Sequence, residues 1–474
     1  MNKSSLLGFA VGPLVGALLG LATVPMVAWV FTPEDLGRFN VLQISLSFVL
    51  LISVLGLDQA YVREYHEAKD KQLLLLSCFF PGFLFLLVVG GLSLFFASDL
   101  AWALYDESDP VYYVLTLLIF FVSFVSCFVS LILRMQERGW AYSASQVFSK
   151  VVQLCLIVFI AVSSFKKEFL HLQLIVLASL LVVLLVCAWG TRQQWLHLLG
   201  SSFDKAYLVG LIRFGFPLVF SGLAYWGLVA TSTIALRSLS TLEELAIYSV
   251  ANSFAGVAFV FQSIFSVLWG PMVYKWVAQN VDMKIVDQVA QQALAVVCAI
   301  VTLSGSLSWL CDWVLPVTYQ GVKYILLCML LQPLFYTLSE VTCVGISIRR
   351  RTIFSLWITL VALCSNVFLS LLLVPDMGSA GAAIANAVAF TVFFIVRTEV
   401  SARVWRQFCR WRLYFCVVAL LVLSVVMVVF GGVVDSFVLH CTWVVFFLIF
   451  IFFFRQQWVD MMTSLVLVLK KDAL

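Results

Sequence analysis

The chain is 474 residues long, 63% hydrophobic and 11% charged, with 42 Phe and 15 Trp, and its mean hydropathy is +1.09. That balance excludes an ordinary soluble domain. The formal net charge of +4 says little alone; where the positive charges sit says more. The twelve cysteines are scattered, mostly in apolar runs, with no C-x-x-C pair. They read as small apolar packing residues, not as a disulfide framework or a metal site. His66, His171, His197 and His440 show no ligand spacing, and no G-x-x-x-x-G-K-[ST] phosphate loop occurs, so the sequence carries no ATPase motif.

A bilayer-spanning helix needs about 20 mostly apolar residues. Such runs recur along the chain, continuous rather than alternating, which predicts an all-α integral membrane protein rather than a β-barrel. In chain order, fourteen spans are predicted at 6–31, 40–57, 73–95, 111–133, 143–164, 169–189, 213–236, 247–269, 288–311, 322–346, 353–374, 379–397, 412–431 and 435–454. The first is too long for a signal-peptide core and lacks a small-residue cleavage site, so it reads as an uncleaved helix. An even number of spans places both termini on one side. With that side cytoplasmic, 22 Lys and Arg fall inside and 5 outside (Arg38, Lys166, Lys167, Arg237, Lys323), with Lys150 inside a span. This is the bias the positive-inside rule requires. The acidic loop 96–110 has no Lys or Arg and falls outside; "FKKEF" (165–169) is the loop that disagrees. The longest polar insert, 191–215, is partly amphipathic and is expected along the cytoplasmic surface.

The chain carries a weak internal repeat. Pro-Leu-Val recurs at 13–15 and 217–219, and "PEDLGRFNV" (33–41) lines up with "LEELAIYSV" (242–250), the intervals differing by five residues. Six spans per repeat give both halves one orientation, related by an axis along the membrane normal. Parallel repeats of this kind mark transporters, with the substrate site at the repeat interface. The organisation expected is an N-terminal six-helix lobe (1–190), a cytoplasmic linker (191–212), a C-terminal six-helix lobe (213–400), and two further helices with a tail (401–474). Pro13, Pro25 and Pro217 should bend spans one and seven, either as gating hinges or as packing kinks.

The blocks "FTPEDLGRFN", "LGLDQAYVREY", "RFGFPLVFSGLAYWGL", "AIYSVANSFAGVAFVFQSIFSVLWGPMVY" and "SNVFLSLLLVPDMGSAGAAIANAVAF" resemble, in content and order, the bacterial polysaccharide transporters. These are the Wzx-type lipid-linked oligosaccharide flippases of the multidrug/oligosaccharidyl-lipid/polysaccharide (MOP) exporter superfamily. The resemblance covers residues 5–400. It implies two six-helix lobes about a central cavity, and alternating access driven by an ion gradient, H⁺ or Na⁺, with no other cofactor. It implies a transporter rather than an enzyme, acting in the bacterial inner membrane with both termini cytoplasmic. The cargo implied is an undecaprenyl-pyrophosphate-linked sugar repeat unit, moved to the periplasmic leaflet for O-antigen or other surface polysaccharide. The implied partners are membrane lipids and the polymerase and chain-length proteins of that pathway; the protein is expected to be a monomer and to bind no nucleic acid. One departure stands out: where the family often carries an Asp-Arg pair in span seven, this chain has Ser232-Thr233, with Arg237 nearby. A drug/cation antiporter of the same superfamily and a peptidoglycan-precursor flippase are the rival readings. A membrane-embedded polymerase or glycosyltransferase would need larger loops than these.

A charged head group crossing lipid requires a polar, cationic cavity. Lys150, two turns into span five, is the leading candidate, with Gln146 and Gln153 on its helical face; the alternatives are snorkelling to the interface and pairing with a carboxylate. Glu340 in span ten is the candidate ion-coupling carboxylate, or a structural partner of a base. Asn252, Asn366 and Asn386 read as amides bonding between helices. At the cytoplasmic end of span two, Asp58, Gln59, Tyr61 and Arg63 form a candidate substrate rim, with Tyr274 and Lys275 the counterpart in the second half. The alternative there is positive-inside anchoring with an aromatic belt. Asp58 and Arg63 lie about 140° apart on a helix and are not expected to pair; Glu67 and Lys71 are expected to.

Overall fold

A computed structural model of the chain describes residues 3–65, 68, 70–136, 138–163, 166–196, 205–279, 281–349, 351 and 353–472. Among these the secondary structure is helical throughout. The chain divides into two compact units, Met1–Thr233 and Ile234–Leu474. The first holds α1 (Lys3–Val30), α2 (Pro33–Val54), α3 (Leu57–Glu64), α4 (Lys71–Ser93), α5 (Ala97–Tyr105), α6 (Pro110–Met135), α7 (Gly139–Val162), α8 (Phe169–Gly190), α9 (Arg192–Leu196) and most of α10 (Lys205–Leu239). The second holds α11 (Leu242–Ala278), α12 (Lys284–Ser306), α13 (Cys311–Val314), α14 (Val322–Ile348), α15 (Ile353–Val404), α16 (Trp411–Phe430), α17 (Ser436–Phe453) and α18 (Arg455–Asp472).

Eleven described helices are long and apolar enough to cross a membrane, which makes this a multi-pass membrane protein. One of them, α15, is 52 residues long and is two spans in one. Its helical geometry breaks at Gly378 (φ 53°, ψ −129°). A Cβ on Gly381 would strike the carbonyl of Leu373, eight residues back and about 12 Å away along a straight helix. The chain therefore reverses at Gly378, where a positive φ suits glycine. Counting α15 twice, and adding the shorter apolar stretch of α1 and the bent pair α17–α18 (65° apart), recovers the fourteen predicted runs.

Helix starts follow local capping. In α2 the Thr32 hydroxyl accepts from the Asp35 N–H at 3.3 Å, with Pro33 in the first turn. In α11 the Thr241 hydroxyl accepts from the Glu244 N–H at 3.2 Å. Both are N-caps, and both open the blocks that the repeat aligns. The span predicted to begin at residue 40 thus begins at Pro33: its early charges are consumed locally. Arg38 donates to the Tyr105 carbonyl at 2.8 Å and pairs with Asp35 at 3.1 Å and Glu107 at 2.9 Å. Glu244 accepts from the Ser379 N–H at 2.8 Å, fixing the α15 reversal.

The end of span two also differs from expectation. α2 stops at Val54; Leu55 (φ 54°) and Gly56 (φ 69°) take left-handed geometry, and α3 is a separate eight-residue helix. The rim residues 58–63 therefore belong to α3. Nearby, α10 crosses at Gly215: a Cβ there would meet the Gly56 carbonyl oxygen at 2.8 Å, so backbone approaches backbone. The α10 helix is continuous through Pro217 and α1 through Pro13 and Pro25. Pro25 is buried, whereas the side chains of Pro13 and Pro217 lie outside the described set.

Candidate substrate and ion sites

In the first unit, α3 carries the rim. Arg63 is 59% exposed; its guanidinium sits 4.4 Å from the centroid of the Phe214 ring of α10, within cation–π range. Its acidic partner is Glu64 at 3.6 Å, not Asp58, as the 140° separation predicted. Asp58 accepts from the Gln59 amide at 2.7 Å. Tyr61 is only 2% exposed and belongs to the apolar core, with its ring 5.5 Å from Tyr65. Burial pushes its hydroxyl well above the ordinary phenol range, so it stays neutral. Lys71 holds its ammonium 4.3 Å from the Tyr65 ring; Glu67, its expected partner, lies outside the described residues, as do the side chains of Tyr274 and Lys275.

Lys150 is half-buried on α7. Its Nζ donates to the Gln153 Oε1 at 3.4 Å, confirming the shared face. Gln146 is exposed. Among the described residues no carboxylate lies within 4.0 Å of Lys150. On α7, Ser143 accepts from the Gly12 N–H at 2.9 Å, which docks α1 against this helix.

The second unit holds a cluster that the sequence only half revealed. Glu340 on α14 accepts a short hydrogen bond from the Ser266 hydroxyl of α11, and its carbonyl accepts from the Trp269 indole at 3.1 Å. Its partner is therefore a hydroxyl. Beside it stands Arg397. Counted from hydropathy as a cytoplasmic base, Arg397 lies within α15, which continues to Val404. Its Nη1 donates to Ser339 at 2.8 Å. Its guanidinium lies 5.4 Å from the Tyr336 centroid and 5.2 Å from that of Phe393, two rings stacked 5.8 Å apart. Of the amide contacts expected between helices, Asn386 donates to Gln332 of α14 at 2.8 Å, whereas Asn366 accepts from Ser370, one turn on within α15 itself, at 3.2 Å. Among the described residues no group of His, Cys, Asp and Glu forms a metal site.

Many long apolar helices, a few of them carrying single charges, define a multi-pass membrane protein. The chain matches the model of the polysaccharide biosynthesis protein family over residues 6–275, more than half its length, and belongs to that family. Its fold is that of the MOP exporters. It is similar to a lipid II flippase, MurJ, in an inward closed conformation (TM-score 0.69, 14% identity, 94% of this chain and 99% of the other). It is also similar to an inward-facing multidrug resistance MATE transporter of the MOP superfamily (TM-score 0.56, 16% identity, 85% and 95%). No curated protein matches it in sequence.

Proposed function

We propose that this protein is a flippase for a lipid-linked oligosaccharide. Its cargo is an undecaprenyl-pyrophosphate sugar repeat unit, moved from the cytoplasmic to the periplasmic leaflet of a bacterial inner membrane for O-antigen or related surface polysaccharide. Membership of the polysaccharide biosynthesis family over residues 6–275 carries this reading. Fold likeness to a lipid II flippase supports it. So does the chemistry of Arg63 and Lys150: one guanidinium stacked on an aromatic ring, and one ammonium whose described partner is an amide. Both suit a diphosphate, the first as a planar donor, the second as a compact charge. Transport is driven by H⁺ or Na⁺ through Glu340, whose carboxylate meets the Ser266 hydroxyl near the fixed cation Arg397. A proton or sodium ion arriving at Glu340 changes its balance with that cation.

The MATE likeness favours a second reading, a drug/cation antiporter. Complementation separates the two. In a strain lacking the gene, the wild-type chain should restore surface polysaccharide. Arg63→Ala and Lys150→Ala, at matched protein levels, should each restore less than a tenth of it. Full restoration by both variants would contradict the assignment of the pyrophosphate to these residues.

A further inference from the structure

Midway through the first unit, α2 and α10 separate in a graded way. At one end Gly215 of α10 meets the backbone at Leu55 and Gly56. Two turns on, a Cβ on Gly222 would lie 2.8 Å from the Leu51 side chain. A further turn on, the gap holds a whole indole: Trp226 donates its Nε1–H to the Ser47 hydroxyl at 2.9 Å, and its ring centroid is 4.6 Å from that of Phe48. Ser47 and Phe48 remain exposed.

The pair lies at depth, and the Ser47 hydroxyl that receives the indole also donates to the Ile44 carbonyl at 2.7 Å. Ser47 lies 14 residues from the Pro33 start of α2 and Trp226 lies 13 residues from the Leu239 end of α10, each about 20 Å at 1.5 Å per residue. That is deep within the hydrocarbon layer. On α2, Asn40, Gln43 and Ser47 are spaced i, i+3 and i+7, one polar stripe down an apolar helix. A stripe of amide and hydroxyl groups at that depth belongs to a wet wall. Trp226 and Phe48 are thus two aromatic rings, open at the side, set on that wall beside a hydroxyl and an amide.

We propose that Trp226, Phe48 and Ser47 form a carbohydrate-binding platform for the sugar portion of the cargo, resting on the flippase reading above. One face of a pyranose ring presents only C–H bonds, whose partial positive charge suits the negative face of an aromatic ring; its rim of hydroxyls suits Ser47 and Gln43. Twelve residues of α10 separate Trp226 from Phe214, which carries Arg63. That is about 18 Å, room for several sugars between a pyrophosphate held at Arg63 and a ring stacked on Trp226.

The test uses the full-length protein in detergent and two probes: undecaprenyl pyrophosphate, and undecaprenyl pyrophosphate bearing the repeat unit, extracted from cells of the parent strain. The readout is the shift in melting midpoint on adding each. The wild type should respond to both, with a larger shift for the sugar-bearing probe. Trp226→Leu should lose that increment and keep the shift with undecaprenyl pyrophosphate; Trp226→Phe, which keeps a ring, should retain most of it. Phe48→Ala, which leaves the indole and its hydrogen bond in place, should reduce the increment at least threefold and serves where Trp226→Leu does not fold. An unchanged increment in the folded leucine or Phe48→Ala variant overturns the platform and leaves the flippase reading standing. A wild type that responds to neither probe overturns both.

Discussion

A charge within a membrane helix costs about 2.5–3.5 kcal/mol at mid-span on insertion scales, so each retained one has a partner worth naming. Arg397 has hydroxyl and aromatic partners: Ser339, and the rings of Tyr336 and Phe393. A planar guanidinium meets both rings and a donor geometry that an ammonium does not reproduce. Arg397→Lys is therefore expected to lower transport at least tenfold in the complementation assay while folding normally. Ser339 already donates to the Tyr336 carbonyl at 2.6 Å and keeps a partner in the variant. Full activity of the lysine variant would show that only the charge matters. Glu340→Gln keeps the shape and an oxygen to accept from Ser266 but not the negative charge. Transport by this variant should no longer respond to a pH or sodium gradient, measured in vesicles with each gradient imposed separately; a retained response would place the coupling elsewhere. Lys150 and Glu340 were legible because each interrupts an apolar run. Arg397 was not, because it stands last in the predicted span 379–397, while the helix itself continues for about two further turns to Val404.

The elements were legible for a simple reason. A spanning run of about 20 residues is long compared with the error in its ends, so the apolar stretches survive translation into helices. The ends were less legible. Thr32-Pro33-Glu34-Asp35 is an N-cap followed by proline and acids, a helix start in its own right, yet its charges look like loop to a hydropathy scale. The break at Leu55–Gly56 leaves only a glycine as its trace, and its cause, the crossing of Gly215, is some 160 residues distant. That crossing makes a stability prediction. Gly56→Ala combines positive φ (69°) with a Cβ driven against the Gly215 backbone, and should destabilise the protein by about 2–4 kcal/mol. Gly91→Ala, where nothing lies within 4 Å, should be neutral or stabilising by up to about 1 kcal/mol, as alanine is favoured in a helix. Thermal melts of the two purified variants check this. Equal midpoints would mean that α10 does not dock closely on the α2–α3 junction.

For the whole molecule, topology and cargo each carry a direct test. The 22-to-5 bias of Lys and Arg predicts that a reporter active only outside the cytoplasm will work when fused in 96–110, and one active only inside will work in 191–212 and at the C-terminus. The reverse pattern would invert every assignment of rim and cavity made above. Cargo is tested most directly by reconstitution. The purified protein is placed in vesicles containing undecaprenyl pyrophosphate bearing the extracted repeat unit, an ion gradient is imposed, and the fraction of sugar reachable by an external glycan-oxidising reagent is followed. The expected result is gradient-dependent redistribution of the sugar between leaflets by the wild type, at least tenfold faster than in Arg63→Ala or Lys150→Ala vesicles. No redistribution by folded wild-type protein, together with gradient-driven movement of a cationic dye, would contradict the flippase assignment and establish the antiporter in its place.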